Sequence, residues 1–478
     1  GHVNGISGNV DMNAFGYAQP PIDVRKMSAV SIPDGDYYIN VRGKTSSSID
    51  IPGASTADST AIQLYAGNES KAQQFTFTKQ QDGSYMITNV NSGKVLDVWA
   101  GDAHNNAVVQ QYSANGSNAQ RWFIRDSGAG YYLQSALGNW VLDLSGGNTA
   151  NGAAIRLYTP NGSASQLFVI SSSKVTVPVN TAVTITSAGN TGLGFDIPGA
   201  STANGARVQL YAANGTNAQK FRFKKIGNGT YTIANVNSGK VLDVSGGSSA
   251  DGAALQQYNS NGTVAQQWTL RDGGNGTVTF ISVNANKAID VPYANFTANN
   301  ALWLYSPNGG NAQQWIVKKA KTMREKLNDK AVSHKGDLPD GTYVFATKLK
   351  STMKMDVYGG SRSDGGNVQI WTGNGTNAQK WRVSHDSHGY VTLTSVNSGR
   401  VLDVYGGSVA NATNVQQYMS NGTYAQKWIA IKNADGSYTF QSALAENKVL
   451  DVSGGSSVRG TNVQLYDANG SNAQRWVD

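Results

Sequence analysis

Hydrophobic and polar residues alternate along most of the chain, in short runs separated by turn residues. The segments 83–88 (Gly-Ser-Tyr-Met-Ile-Thr) and 229–233 (Gly-Thr-Tyr-Thr-Ile) both alternate and are rich in residues that favour strands. Asn-Gly pairs, a strong hairpin signal, stand at 115–116, 161–162, 214–215, 261–262, 374–375, 421–422 and 469–470. The pattern predicts an all-β protein, in which only the segment 321–327 is predicted as a short helix.

One phrase of this pattern recurs along the whole chain. Asn-Ser-Gly-Lys-Val-Leu-Asp-Val stands at 91–98 and again at 237–244, and a near copy with arginine for lysine stands at 397–404. The aspartate of this phrase has nine counterparts, namely Asp50, Asp97, Asp143, Asp196, Asp243, Asp290, Asp356, Asp403 and Asp451. Such a repeat is the strongest evidence that the sequence offers about the fold.

Each of these aspartates is followed by other residue types at fixed distances. Fifteen residues on stands an aromatic: Tyr65, Tyr112, Tyr158, Tyr211, Tyr258, Tyr305, Trp371, Tyr418 and Tyr466. Eighteen residues on stands an asparagine: Asn68, Asn115, Asn161, Asn214, Asn261, Asn308, Asn374, Asn421 and Asn469. A glutamine follows at 23 and a Phe or Trp at 25, as in Gln120 and Trp122.

The distances between successive aspartates divide the nine repeats into three groups of three. They are 47, 46, 53, 47, 47, 66, 47 and 48 residues. The two long intervals mark domain boundaries, and three repeats of about 47 residues can close into one small barrel without open sheet edges. The predicted domains are 31–173, 174–319 and 337–478, with a stub and linker at 1–30 and a basic, helical linker at 320–336.

Composition excludes several classes of function. The 478 residues contain no cysteine, so disulfides and thiolate metal sites are excluded, and the five histidines have no metal-ligand spacing. The formal charge of +8 is concentrated in 318–335, where seven bases face two acids. A basic patch confined to a linker is read as a solvated segment, so no nucleic acid partner is expected. No apolar run is long enough for a membrane span.

The Gln-x-Trp triplet that ends the repeats, with Leu-Asp-Val upstream, resembles the ricin B-type β-trefoil lectins and the family 13 carbohydrate-binding modules. The resemblance covers about residues 33–478 and implies three tandem β-trefoils that bind carbohydrate without a cofactor. It also implies that the terminal Gln and Trp pack the centre of each trefoil.

The resemblance gives the repeat aspartate a role in accepting hydrogen bonds from two adjacent sugar hydroxyls. The alternative is an aspartate that caps a turn. The ring at 15 favours the sugar, because the C–H face of a pyranose stacks on a flat ring. The asparagine at 18 fits a sugar contact, a left-handed turn or both. The carboxylate is expected to face solvent and ligand, so that Asp97→Ala would cost little stability.

The predicted sites differ between repeats. The position before the Gln, often a sugar-binding Asn in the lectins, is Ala in eight repeats and Ser165 in the third. At position 13 Gln is replaced by Arg156 in the third repeat and Trp303 in the sixth, which predicts degenerate sites there. The best-formed sites are predicted at Asp97, Gln110, Tyr112 and Asn115; Asp196, Gln209, Tyr211 and Asn214; Asp356, Gln369, Trp371 and Asn374; and Asp451, Gln464, Tyr466 and Asn469. Asp50 with Tyr65, Asp243 with Tyr258 and Asp403 with Tyr418 are further candidates.

The segment from Val3 to Phe15 belongs to no repeat. It resembles the last barrel strand of family 25 glycoside hydrolases, the lysozymes that cleave peptidoglycan, and Asp11 matches an active-site carboxylate of that family. The remainder of such a barrel is not in this sequence. The resemblance therefore implies that the chain is the C-terminal part of a secreted bacterial lysozyme. An unrelated strand-like leader is the alternative.

No catalytic constellation is predicted in this chain. Glycoside hydrolysis normally uses two facing carboxylates, but the three glutamates (Glu69, Glu325 and Glu446) are scattered and the repeat aspartates fall one per repeat. The chain is predicted to be a monomeric, multivalent carbohydrate-binding region that anchors a secreted enzyme to a cell-wall or host glycan. The alternative is a protein-binding trefoil scaffold or an adhesin that recognises host glycoproteins. The sequence does not identify the sugar.

Overall fold

The computed structural model describes residues 21–478, so the predicted stub with Val3, Asp11 and Phe15 lies outside the described residues. Within 21–478 the strands form three separate antiparallel sheets of 13, 12 and 13 strands. The one α-helix of this part, α1, spans Met323–Ser333. The prediction of three trefoils with a short helix before the third is confirmed.

The first sheet extends from residue 35 to residue 172. Its strands are β1 (Gly35–Val41), β2 (Lys44–Asp50), β3 (Thr60–Ala61), β4 (Gln63–Ala66), β5 (Phe75–Lys79), β6 (Tyr85–Asn89), β7 (Val95–Val98), β8 (Ala107–Tyr112), β9 (Trp122–Asp126), β10 (Tyr131–Ser135), β11 (Val141–Leu144), β12 (Ala153–Tyr158) and β13 (Phe168–Ser172).

The second sheet extends from residue 182 to residue 319. Its strands are β14 (Ala182–Ser187), β15 (Leu193–Asp196), β16 (Gln209–Ala212), β17 (Phe221–Gly227), β18 (Thr230–Asn235), β19 (Val241–Val244), β20 (Ala253–Tyr258), β21 (Trp268–Gly274), β22 (Thr277–Ser282), β23 (Ala288–Asp290), β24 (Trp303–Tyr305) and β25 (Trp315–Lys319).

The third sheet extends from residue 341 to residue 477. Its strands are β26 (Gly341–Tyr343), β27 (Ala346–Thr347), β28 (Met353–Val357), β29 (Gly366–Thr372), β30 (Trp381–His385), β31 (Val391–Ser395), β32 (Val401–Val404), β33 (Thr413–Tyr418), β34 (Trp428–Lys432), β35 (Tyr438–Ser442), β36 (Lys448–Val452), β37 (Val463–Asp467) and β38 (Trp476–Val477).

The aromatic residue that ends each repeat lies at the centre of a trefoil core. The nine residues, all fully buried, are Phe75, Trp122 and Phe168 in the first core, Phe221, Trp268 and Trp315 in the second, and Trp381, Trp428 and Trp476 in the third. The indole of Trp122 also donates a hydrogen bond to the Leu96 carbonyl over 3.1 Å. The predicted packing role of this position is confirmed, because a large ring buried at one register in every repeat fills the space inside the barrel.

The first two trefoils belong to one compact unit that ends at Ala320. A hairpin of the second trefoil inserts Asn228, which is 1% exposed, between residues of the first. The Asn228 side chain donates to Ser48 Oγ over 2.9 Å and to Gln73 Oε1 over 2.7 Å, and its carbonyl accepts from Asn40. A side chain at Gly227 would meet the Thr45 carbonyl at 2.0 Å, so this close approach requires glycine.

The second unit begins at Lys321 and contains α1 and the third trefoil. The helix starts with a capping box in which Thr322 and Glu325 bond each other's backbone N–H groups. Leu327 and Ala331, one turn apart, are buried in a small cluster with Tyr390, Ile429 and Ala443 of the trefoil. The basic segment is therefore packed onto the third trefoil, and reading it as a solvated linker was wrong.

Candidate functional site

The four residues predicted to bind sugar in the second repeat line one pocket of about 550 Å³. Asp97 lies on β7 directly opposite Gln110 on β8. Gln110 and Tyr112 are two residues apart on that strand and therefore point to the same face. Asn115 follows in the turn that closes the pocket. The hairpin register thus brings together residues that are up to 18 positions apart in the sequence.

Pockets of the same construction occur in other repeats. Asp356, Gln369, Trp371 and Asn374 line one of about 500 Å³. The equivalent pockets of the fifth and eighth repeats, at Asp243 and Asp403, measure about 480 and 660 Å³, so the structure gives no reason to rank these two below the others. The glutamine at 13 also bonds the aspartate in the pairs Gln63 and Asp50, Gln209 and Asp196, and Gln464 and Asp451.

The repeat aspartate is buried and held by two glutamines. Asp97 is 5% exposed, and its Oδ1 accepts a hydrogen bond from Gln110 Nε2 over 2.9 Å. The Gln120 side chain bonds the same carboxylate. The expectation that this carboxylate faces solvent was wrong, because the opposite strand and the glutamine from the end of the repeat both close over it. A carboxylate offers about four acceptor sites, so sites remain for a ligand in the pocket.

The turn after the ring is fixed by Asn115 and Gln120. Gln120 Oε1 accepts from the Asn115 backbone N–H over 2.8 Å, and Gln120 Nε2 donates to the Ser113 carbonyl over 3.0 Å. Asn115 Oδ1 accepts from the Ser117 N–H over 2.9 Å. The glutamine is therefore structural, as predicted. Because the turn uses the side-chain oxygen of Asn115, its NH2 group is the part that a ligand can use.

The ring at position 15 is exposed or half-buried in every repeat. Tyr65, Tyr211, Tyr258, Tyr305 and Tyr466 are between 36% and 40% exposed. Trp371 is half-buried and lies 5.4 Å from the guanidinium of Arg459. These rings differ sharply from the fully buried ring ten residues later, and their free faces can stack on a flat apolar ligand.

Three pockets contain a second ring that the sequence reading missed. Trp99, Tyr358 and Tyr405 stand two residues after Asp97, Asp356 and Asp403, are 56–63% exposed and line the respective pockets. The other repeats have serine or proline at this position. An aromatic residue where the aligned repeats have a turn residue was the signal that could have revealed it.

The two repeats predicted to be degenerate differ from each other. Arg156 donates to the Ile155 carbonyl over 3.3 Å. In the sixth repeat, however, the indole N–H of Trp303 donates to Asp290 Oδ1 over 2.6 Å and so replaces the usual glutamine contact. Asp290, Trp303 and Tyr305 line a pocket of about 290 Å³. The sixth repeat thus keeps a formed pocket despite its substitution.

Burial raises the pKa of most of the repeat aspartates, and hydrogen bonds from neighbouring side chains oppose this shift. The residues whose pKa is raised are Asp50, Asp97, Asp143, Asp290, Asp356, Asp403 and Asp451. In contrast, the pKa of Asp58 is lowered by its hydrogen bond from Lys94. Desolvation disfavours the ionised form, whereas a cationic partner favours it.

These shifts predict that ligand binding and stability respond oppositely to mild acid. As the pH falls through the raised pKa values, the carboxylates gain protons and lose acceptor strength, so retention on a polysaccharide should fall. A raised native pKa means that the folded chain binds more protons than the unfolded chain, so these groups add stability as pH falls through that window. Carboxylates like Asp58 lose their contribution only below the ordinary value. Retention and the thermal midpoint should be measured between about pH 7 and pH 4; a parallel loss of both would contradict this prediction.

Two absences concern residues 21–478 alone. No group of three His, Cys, Asp or Glu side chains there is arranged to hold a metal ion. No helix in this part of the chain is long and apolar enough to cross a membrane.

Comparison with known proteins identifies the repeats. The ricin-type beta-trefoil lectin domain-like family matches residues 71–158, 164–258, 264–371, 332–418 and 424–477. Flavastacin from Elizabethkingia meningoseptica is 38% identical over 103 residues, which amount to 21% of this chain and 23% of flavastacin. Thus the chain spans about a quarter of that relative's length.

Solved structures with similar folds cover one trefoil or several. The designed threefold-symmetric protein ThreeFoil is 34% identical with a TM-score of 0.28 and covers 28% of this chain and 96% of its own. A mosquitocidal holotoxin is 19% identical with a TM-score of 0.41 and covers 93% of this chain and 51% of its own. The family match extends over most of the sequence and all three sheets. The chain belongs to the ricin-type beta-trefoil lectin domain-like family.

Proposed function

We propose that this chain is a multivalent glycan anchor, which holds a secreted bacterial cell-wall-active enzyme, a lysozyme of glycoside hydrolase family 25, on its substrate. Lectin domains of this family imply carbohydrate binding. The observation that carries the proposal is the repeated pocket in which a carboxylate and an exposed ring lie side by side, as at Asp97 and Tyr112.

The chemistry of the pocket matches a pyranose. The ring of Tyr112 offers a flat face for the apolar C–H side of the sugar, and the Asp97 carboxylate accepts hydrogen bonds from adjacent hydroxyls. Gln110 holds the carboxylate in place, so the acceptor is preorganised before the ligand arrives. The second ring in the pockets of Trp99, Tyr358 and Tyr405 widens the apolar surface.

The number of pockets favours a repetitive polymer over a protein partner. A protein interface needs one continuous patch, whereas similar clamps repeated through three trefoils suit a chain of similar sugars. A protein-binding scaffold, or an adhesin for host glycoproteins, is the alternative. An array of glycans that shows no binding to any sugar would favour the scaffold.

The proposed link to a lysozyme rests on the sequence from Val3 to Phe15. Its Val-Asp-x-Asn motif, with Asp11, resembles the end of a family 25 barrel. Secretion and a bacterial cell-wall target follow from that resemblance and are part of the proposal, as is the resemblance of the repeats to family 13 carbohydrate-binding modules.

We expect the chain to sediment with purified peptidoglycan and not to hydrolyse it. The matched control is the triple variant Trp99→Ala, Tyr358→Ala, Tyr405→Ala, whose exposed rings contribute little to folding but should weaken sedimentation. Sedimentation with a host glycoprotein and not with peptidoglycan would favour the adhesin. Lytic activity that Asp11→Asn abolishes would contradict the anchor proposal, since it would require a complete active site in this chain.

A further inference from the structure

The sixth repeat contains an unusual residue in the turn that follows its aspartate. In every repeat the third residue after the aspartate has a left-handed backbone, with φ between 52° and 62°. That residue is glycine in seven repeats and Ala100 in the second, but Tyr293 in the sixth. A bulky residue in this region of the backbone is a true outlier and is usually retained for function.

The Tyr293 side chain gains little burial in return for this conformation. It is 88% exposed, the most exposed large hydrophobic side chain of the described residues. Its ring lies 5.1 Å from the ring of Trp303, tilted by 59°, and Trp303 is stacked on Tyr305 at 5.9 Å. The three rings form a continuous aromatic wall along one side of the pocket, which we call the triple-ring wall.

The pocket beside this wall has fewer polar groups than its counterparts. Where other repeats have a glutamine amide, Trp303 has a single polar atom, and its N–H already donates to Asp290. The other oxygen of Asp290 accepts from Gln313 over 3.0 Å. The polar groups left for a ligand are therefore the remaining acceptor sites of Asp290 and the amide of Asn308.

Pocket size limits the ligand further. At about 290 Å³ the cavity is smaller than the four others described above, which range from about 480 to 660 Å³. A small cavity with a wide aromatic wall suits one sugar residue with an added apolar group, whereas a longer saccharide would need more length.

We propose that the sixth-repeat pocket selects a pyranose that carries a methyl group, either in an acetamido substituent or as a 6-deoxy carbon, and that Tyr293 is the residue that determines this preference. The inference rests on the proposed glycan binding of the array. The Asp290 carboxylate accepts the ring hydroxyls, Tyr305 and Trp303 stack on the C–H face, and Tyr293 covers the methyl group.

The test uses the full chain labelled with 15N and reads its ten tryptophan indole N–H signals during sugar titrations. Trp303→Phe, Trp99→Phe and Trp371→Phe assign three reporters, one each in the sixth, second and seventh repeats. Glucose is compared with N-acetylglucosamine and with 6-deoxyglucose, which separates the two sources of the methyl group. We expect the Trp303 signal to report about fourfold tighter binding of at least one methyl-bearing sugar, the amount that burial of one methyl group gives.

Two variants of Tyr293 decide the role of the ring. Tyr293→Gly should abolish the preference at Trp303, leave the responses of Trp99 and Trp371 unchanged, and leave the thermal midpoint unchanged or higher because the backbone strain is relieved. Tyr293→Phe keeps the ring and should keep the preference. A residue with only a packing role would instead lower the midpoint when replaced by glycine.

The outcomes separate this inference from the proposed function. If sugars move none of the three reporters, glycan binding itself is contradicted. If Trp99 and Trp371 respond but Trp303 shows no preference for either methyl-bearing sugar, or if Tyr293→Gly keeps the preference, glycan binding stands and this inference is overturned.

Discussion

Replacing Trp122 with alanine is expected to lower the free energy of unfolding of its unit by ~3–5 kcal/mol, the usual cost of deleting a large buried aromatic side chain. Trp122 is fully buried at the centre of the first core, and its indole donates to the Leu96 carbonyl. The substitution leaves a cavity and also an unpaired buried carbonyl. A fall of roughly 6–20 °C in the thermal midpoint should follow for a unit of this size or somewhat less for a larger one.

The matched control is Trp99→Ala in the same repeat. Trp99 is 56% exposed and lies at the pocket, so its loss should change the free energy of unfolding by no more than about 0.5 kcal/mol. It should nevertheless weaken retention on the polysaccharide. Asp97→Ala is a poorer control, because it would leave the amides of Gln110 and Gln120 without their buried acceptor. Unfolding caused by Trp99→Ala, with Trp122→Ala stable, would contradict the division into core and pocket.

The whole chain is expected to bind a polysaccharide ~10²–10⁴-fold more tightly than either of its two units alone. A single clamp should bind one sugar in the millimolar range, a free energy of only about 4 kcal/mol. Once one clamp is engaged, the others bind intramolecularly, and avidity rises without any new contact. The effect requires a ligand long enough to reach several pockets.

The appropriate fragments are the unit that ends at Ala320 and the unit that begins at Lys321. A cut between the first two trefoils would expose the buried hydrogen bonds of Asn228, so single trefoils from that unit are unsuitable. A monosaccharide is the control ligand, since each fragment and the whole chain should bind it with the same affinity per site. Equal affinity of the fragments and the whole chain for the polysaccharide would refute the multivalent interpretation.

Repeat spacing was sufficient to predict the fold and the members of the pockets. The interval of 25 residues between Asp97 and Trp122 recurs in all nine repeats, and a residue type held at one register in every repeat marks either the core or a shared site. Chemistry then separated the two, because a Trp that ends the repeat fits a core and an Asp with a ring fits a sugar. The domain boundaries, the localisation and the lysozyme at the N-terminus stay predictions.

The sequence by itself therefore determined the three trefoils, the buried terminal aromatics and the grouping of Asp97, Gln110, Tyr112 and Asn115. It could not determine burial, because a carboxylate at a strand end becomes solvated or enclosed according to what the opposite strand and the closing turn place over it. Only the tertiary structure decided that Asp97 is enclosed by two glutamines. It also decided that Trp99 reaches the same pocket and that Tyr293 completes the triple-ring wall, since local spacing does not specify where a turn directs a side chain.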